Sequence, residues 1–216
     1  MKPKDLLLLR VHEYVVEPLA AHGFRFAASR LHFSRAVRHA RQRIEISSNR
    51  YNTEDDAEFW TMWSVTSPSY PKWYAETWGE QTSYDVLAGT ADWNIPGWAR
   101  GPAAPRFHLR NTAEDAREMA EFCQSVLGPG LAYLERVSTW EGAAEANLAQ
   151  RWLFGRAADF LMIVGQRERA RAVLLEGLDA FERQGRHDSL NEVPGLRVRL
   201  ARYFPEAPGP AALTRR

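Results

Sequence analysis

Six histidines, one cysteine and a long series of arginines are the side chains here with obvious chemical uses, and their spacing decides which uses survive. A metal site needs ligands that a fold brings to one point, most simply two His on one helix face or paired Cys. His12, His22, His32, His39, His108 and His187 form no His-x-x-x-His pair, and a single cysteine, Cys123, excludes the common structural zinc clusters. No Gly-x-Ser-x-Gly elbow, phosphate loop or dinucleotide fingerprint occurs. No catalytic residue, metal or cofactor is therefore expected. An enzyme would have to use His32, His108 and Asp92 in a pocket under the 68–104 segment, with perturbed titration as its mark.

The arginines carry more information. The formal net charge of +1 is a cancellation: residues 1–52 sum to +6, residues 53–92 to −7 and residues 93–216 to +2. Such a division implies either a polar interaction surface that steers a charged partner or two segments that pair with each other across a sheet. Arg30, Arg35, Arg38, Arg41 and Arg43 are the candidate binding residues. With Phe24, Phe26 and Phe33 beside them they also match the chemistry of a nucleic-acid-binding sheet, against which stands the acidic segment that follows. Glu54, Asp55 and Asp56 read as a solvated turn.

Tryptophan is concentrated in the same region, with six of the eight between residues 60 and 98. Trp60 and Trp63 lie on a strand and are expected in the core. Trp73, Trp78, Trp93 and Trp98 lie on a long punctuated segment and are the aromatic candidates for a partner surface. Cys123 falls on an apolar helix stripe and reads as an inert core thiol.

The elements that position these residues follow from hydrophobic period. Leu8, Val11, Val15 and Leu19 make one helix face over 5–22, with a kink expected at Pro18 and a C-cap at Gly23. Alternation at 24–28, 31–34 and 43–48 reads as strands. The run 59–65, apolar on both parities, reads as a central strand buried on two sides. Residues 68–104 carry many Pro and Gly and are expected to be irregular, apart from a short helix at 70–78. A last short strand is expected at 105–110. Beyond Arg110 the pattern is helical: a capped helix ending at Gly128-Pro129-Gly130, a shorter one through Leu131, Leu134 and Val137, then a hairpin and one more helix beginning at Pro194. A stop is expected near Gly185.

Two stretches carry a resemblance. Glu17-Pro18-Leu19-Ala20-Ala21-His22-Gly23-Phe24-Arg25, then Leu31-His32-Phe33-Ser34-Arg35, then Ile44 to Asn49 and Phe59, resemble the bacterial family called domain of unknown function 4304. The likeness runs over about residues 5–140 and continues through Arg106-Phe107. It implies no activity to transfer, and it implies interaction or immunity roles as a direction. Ala157-Ala158, Leu161, Gly165, Ala170, Leu174 and Gly177 look like one tetratricopeptide-type hairpin.

The expected fold is α+β: an antiparallel sheet of about four strands flanked by helices, in a domain over 1–140. A helical hairpin plus one helix follows over 147–204, packed on that domain, then a loose tail over 205–216. No apolar run approaches the roughly 20 residues that span a bilayer, and Arg10, His12 and Glu13 interrupt the one near the start too early for a secretory signal. With one cysteine, the expectation is a cytoplasmic protein whose Arg and Ala usage is that of a bacterial genome, non-enzymatic, bound to another protein or, in the second reading, to nucleic acid.

Overall fold

A computed structural model describes residues 1–184 and 189–205. The expected stop at Gly185, His187 and residues 206–216 of the expected tail lie outside the described residues. The chain divides into two compact units, Met1–Ser138 and Thr139–Arg216. Among the described residues no helix is long and apolar enough to cross a membrane.

The first unit is α+β. It opens with Pro3–Val11 (α1), a π-type turn at His12–Val16 and Glu17–Ala21 (α2). Pro18 has no N–H and its ring crowds the carbonyl four residues back. The helix meets this with a wider turn immediately before it. The expected stop at Gly23 is observed: with φ 81° it lets Phe24 N–H reach the Leu19 carbonyl (3.1 Å) while its own N–H reaches Ala20 (2.9 Å). That pair of hydrogen bonds closes the helix end and brings Phe24 back toward Leu19, both buried.

Six antiparallel strands follow: Arg25–Ala27 (β1), His32–Val37 (β2), Ala40–Ser48 (β3), Ala57–Thr66 (β4), Val86–Ala91 (β5) and Phe107–Leu109 (β6). Their order is β1-β2-β3-β4-β5, and β6 also pairs with β4. Since β3 holds one edge of β4, β5 and β6 share the other: β6 meets Ala57–Phe59 and β5 meets Met62–Thr66. Strand β5 lies inside the stretch expected to be irregular. Ser69–Trp78 forms the expected short helix, α3.

Asp115–Ser125 (α4) runs through a second π-type turn, Val126–Gly130, into Leu131–Val137 (α5). The expected break at Gly128-Pro129-Gly130 is therefore a widened turn within a continuing helix, again at a proline. Leu6, Leu7 and Val11 of α1, Met119 and Phe122 of α4, and Leu134 and Val137 of α5 build the core against one face of the sheet. Gly130 belongs to this packing. A methyl group there would collide with the Trp63 indole.

The second unit is helical: Trp140–Ala149 (α6), Phe154–Ile163 (α7), Arg167–Gln184 (α8) and Ser189–Tyr203 (α9). Helix α6, which no apolar stripe announces, is capped by Thr139, whose hydroxyl accepts from Gly142 N–H at 3.0 Å. Trp152 is 59% exposed in the turn before α7. The expected α7–α8 hairpin turns at Gly165, φ 75°. Small residues let the helices approach: a Cβ on Gly177 would lie 2.7 Å from the Phe154 ring. Asp159, fully buried on α7, takes two bonds from Arg199 (2.8 and 2.9 Å) and one from the Tyr203 hydroxyl (2.6 Å), tying α9 down. Pro194 sits inside α9, not at its first position.

Candidate functional site

Side chains on a strand alternate between faces, so the register decides which arginines share a surface. On β3, Ala40, Gln42, Ile44 and Ile46 are buried; Arg41, Arg43, Glu45 and Ser47 face the other way. On β4, Phe59, Thr61, Trp63 and Val65 are buried, and Glu58, Trp60, Met62, Ser64 and Thr66 occupy the second face. Met62 is 42% exposed there. The run 59–65 is thus central in pairing, but the expectation of two buried sides fails, because helices cover one face and leave the other half-open. Trp60 goes with the open face, contrary to its expected place in the core.

Pairing Arg25 with Ser34, Ser34 with Arg43 and Ala36 with Arg41 places Arg25, Arg41 and Arg43 together on the open face, around small residues of β2. Arg35 has the opposite parity. Its Nε donates to Gln42 Oε1 (2.7 Å), Nη1 to the His22 carbonyl (2.6 Å) and Nη2 to the Glu135 carboxylate, and its guanidinium lies 4.6 Å from the Phe24 ring centre. Gln42 passes the network on by donating to Ser138 Oγ at 2.8 Å. Arg30 ends the turn Ala28–Arg30 and Arg38 lies in the β2–β3 turn at φ 46°; both are exposed. The five candidate arginines are thus not one surface. Arg25, not among the five, takes the place of Arg35. His32 lies among them, its pKa lowered by partial burial and then by the charges of Arg43 and Arg30.

The open face continues into an aromatic-cation stack. The Arg106 guanidinium lies 3.8 Å from the Trp60 ring centre and 4.7 Å from that of Trp93, and its Nε is 3.3 Å from Glu58. Next to it, His108 Nδ1 is 3.0 Å from Asp56 Oδ1, and Arg110 Nε is 3.6 Å from the same oxygen. The acidic segment accordingly pairs with β6 and the residues beside it; among the described residues its ion pairs do not reach the basic segment 1–52. Asp56, expected to be solvated, is part of that pairing. Trp73 and Trp78 are half-buried on α3, where Trp73 stacks on Tyr70 and Trp78 on Tyr74. Trp98 belongs to the core, edge-on to Trp63 at 5.5 Å.

The groups proposed for an enzyme are not brought together. His32 is on β2, His108 is bonded to Asp56, and Asp92 is fully buried at the end of β5. Asp92 Oδ2 accepts from Thr61 N–H (2.6 Å) and Thr61 Oγ1 (2.8 Å), and Oδ1 from Trp93 N–H (2.8 Å). Trp63 Nε1 in turn donates to Thr61 Oγ1 at 2.7 Å. Burial raises the Asp92 pKa in spite of these bonds. Its position is that of a missing strand partner: Thr61 lies in the gap between the β6 and β5 ladders. Among the described residues no group of three or more His, Cys, Asp or Glu is placed to hold a metal ion.

Where β1 begins, Gly23, Arg25, Ser34, Arg35, Ala36 and Arg41 line an open depression of about 470 Å³. A second, of about 420 Å³, lies within the helical unit beside Leu148, Phe154 and Ala180, with Arg151, Glu176 and Arg183 at its rim. Compared with models of known protein families, with characterised proteins and with solved structures, the chain matches none.

Proposed function

We propose that this is a non-enzymatic interaction protein of the bacterial cytoplasm, of immunity or adaptor type, which takes an acidic segment of a partner protein on the open face of its sheet. The observation that carries this is the set Arg25, Arg41 and Arg43 on one half-exposed face, next to exposed Met62. Arg25 and Arg41 have no ion-pair partner among the described residues, so their charge is available to a partner. The Trp60–Arg106–Trp93 stack supplies a rigid aromatic border of the type that anchors interfaces. The resemblance noted above points in the same direction. The single cysteine, its pKa raised by burial, suits a reducing compartment.

The test is affinity capture from the source cells with the wild-type chain and with Arg25→Glu, Arg41→Glu and Arg43→Glu combined, followed by titration with the purified partner. The expected result is one acidic partner that is lost on charge reversal and weakened by salt. A partner retained equally by the reversed variant would overturn the proposal. So would salt-dependent binding of single-stranded RNA with no protein partner.

A further inference from the structure

We propose that the notch at the free edge of β2 is a binding site for a phosphate monoester. Strand β1 accompanies β2 only as far as Ser34, so Arg35, Ala36 and Val37 have no strand on their outer side. Val37 and Ala40 close the two-residue turn between β2 and β3. Hydrogen bonds of an antiparallel ladder alternate between its two sides. Counting back from that closing pair turns the N–H and the C=O of Ala36 outward, so the notch gains a backbone donor with its carbonyl beside it.

Arg25 and Arg41 stand on either side of this edge, diagonal to each other across β2, with only the small side chains of Ser34 and Ala36 between them. Neither guanidinium has an ion-pair partner among the described residues, and the Ser34 hydroxyl has no hydrogen-bond partner among them. Arg35 forms a wall whose charge Glu135 neutralises. Two uncompensated guanidinium groups, a hydroxyl and a backbone N–H thus surround an open space of about 470 Å³.

This donor set matches a terminal phosphate: two positive charges for a dianion, and enough donors for three terminal oxygens. A carboxylate would leave donors unused. A phosphodiester offers one charge and two non-bridging oxygens per phosphate, so it too would leave donors unused. The notch shares Arg25 and Arg41 with the partner surface proposed above but does not require that partner, since a free phosphate ester would serve as well as one carried on a protein side chain.

The test is calorimetric titration of the full chain at low salt. The probes are inorganic phosphate, free O-phosphoserine, a phosphoserine peptide, its unphosphorylated form, and a single-stranded oligonucleotide. Saturable binding of the phosphate probes is expected. Arg25→Gln and Arg41→Gln should each weaken it about tenfold and Ser34→Ala about threefold. Arg117→Gln, exposed on α4 and outside the notch, should leave it unchanged, and circular dichroism should show all four variants folded. A phosphopeptide that binds tighter than phosphoserine assigns the group to a protein; equal affinities assign it to a free ester. The proposal is overturned if phosphate and phosphoserine do not saturate, or if the Arg25→Gln, Arg41→Gln double variant binds them undiminished. Tighter binding of the unphosphorylated peptide or the oligonucleotide would overturn it equally.

Discussion

On one face of the sheet Trp63 meets Trp98 and the bare backbone of Gly130, with Phe59, Phe107 and Phe122 packed alongside. On the other, one residue along the same strand, Met62 lies in solvent and Trp60 stacks under a guanidinium. Both faces are rich in aromatics. They differ in how Arg35, Arg25 and Arg41 are satisfied. Arg35, on the closed side, has a partner for each of its nitrogens, whereas Arg25 and Arg41, on the open side, have no ion-pair partner among the described residues. Side-chain type therefore does not distinguish the surface that holds the fold from the one free to bind; strand parity does.

The sharpest way to break this contrast is to overfill the closed face. Gly130→Val places a branched side chain inside the Trp63 ring and is expected to cost about 3 kcal/mol, read from the urea midpoint. Asp92→Ala removes the acceptor from the Thr61 and Trp93 N–H groups and is expected to cost about 2 kcal/mol by the same measurement.

The titration of Asp92 sharpens the point. Its folded pKa is raised, so between the ordinary carboxylate value and the raised one the folded state binds more protons than the unfolded state. Its contribution to stability therefore grows as pH falls through the raised value, and levels off below the ordinary one. Wild type should gain on Asp92→Asn as urea midpoints are taken from pH 7 down to pH 4; the opposite slope would contradict the assignment.

Arg35→Ala breaks the link from β2 to α5 and is expected to cost about 1 kcal/mol. Arg41→Ala should leave the melting temperature within error while it weakens partner capture. If Arg41→Ala instead destabilised the protein as much as Arg35→Ala, the division between the two faces would be lost.

Much of the architecture was legible because amphipathic period and turn chemistry agreed, as in the helix that ends at Gly23 and the alternation of β3. Three features were not. Strand β5, Val-Leu-Ala-Gly-Thr-Ala, has small residues where a strand signal needs branched ones, and it sits among prolines and glycines. Helix α6 packs through Ala143 and Ala144 and so shows no stripe. The segment Phe59 to Val65 is apolar on both parities, so only its register with β3 shows that Trp60 and Trp63 part company. The candidate surface was half legible: Arg41 and Arg43 share a parity visible in the sequence, but Arg25 joins them only through the β1–β2 pairing, and Arg35 leaves them through contacts with residues 22, 42 and 135.

The divided edge of β4 has a consequence for engineering. Strands β5 and β6 reach it separately, and the Asp92 carboxylate fills the gap between them, so the sheet does not fix the length of the chain that joins the two. Residues 101–104 of that connection are exposed. A fluorophore, an affinity tag or a whole inserted domain placed there should be accommodated without loss of strand register, which makes this loop the natural handle by which to immobilise the protein and leave its arginine-bearing face free.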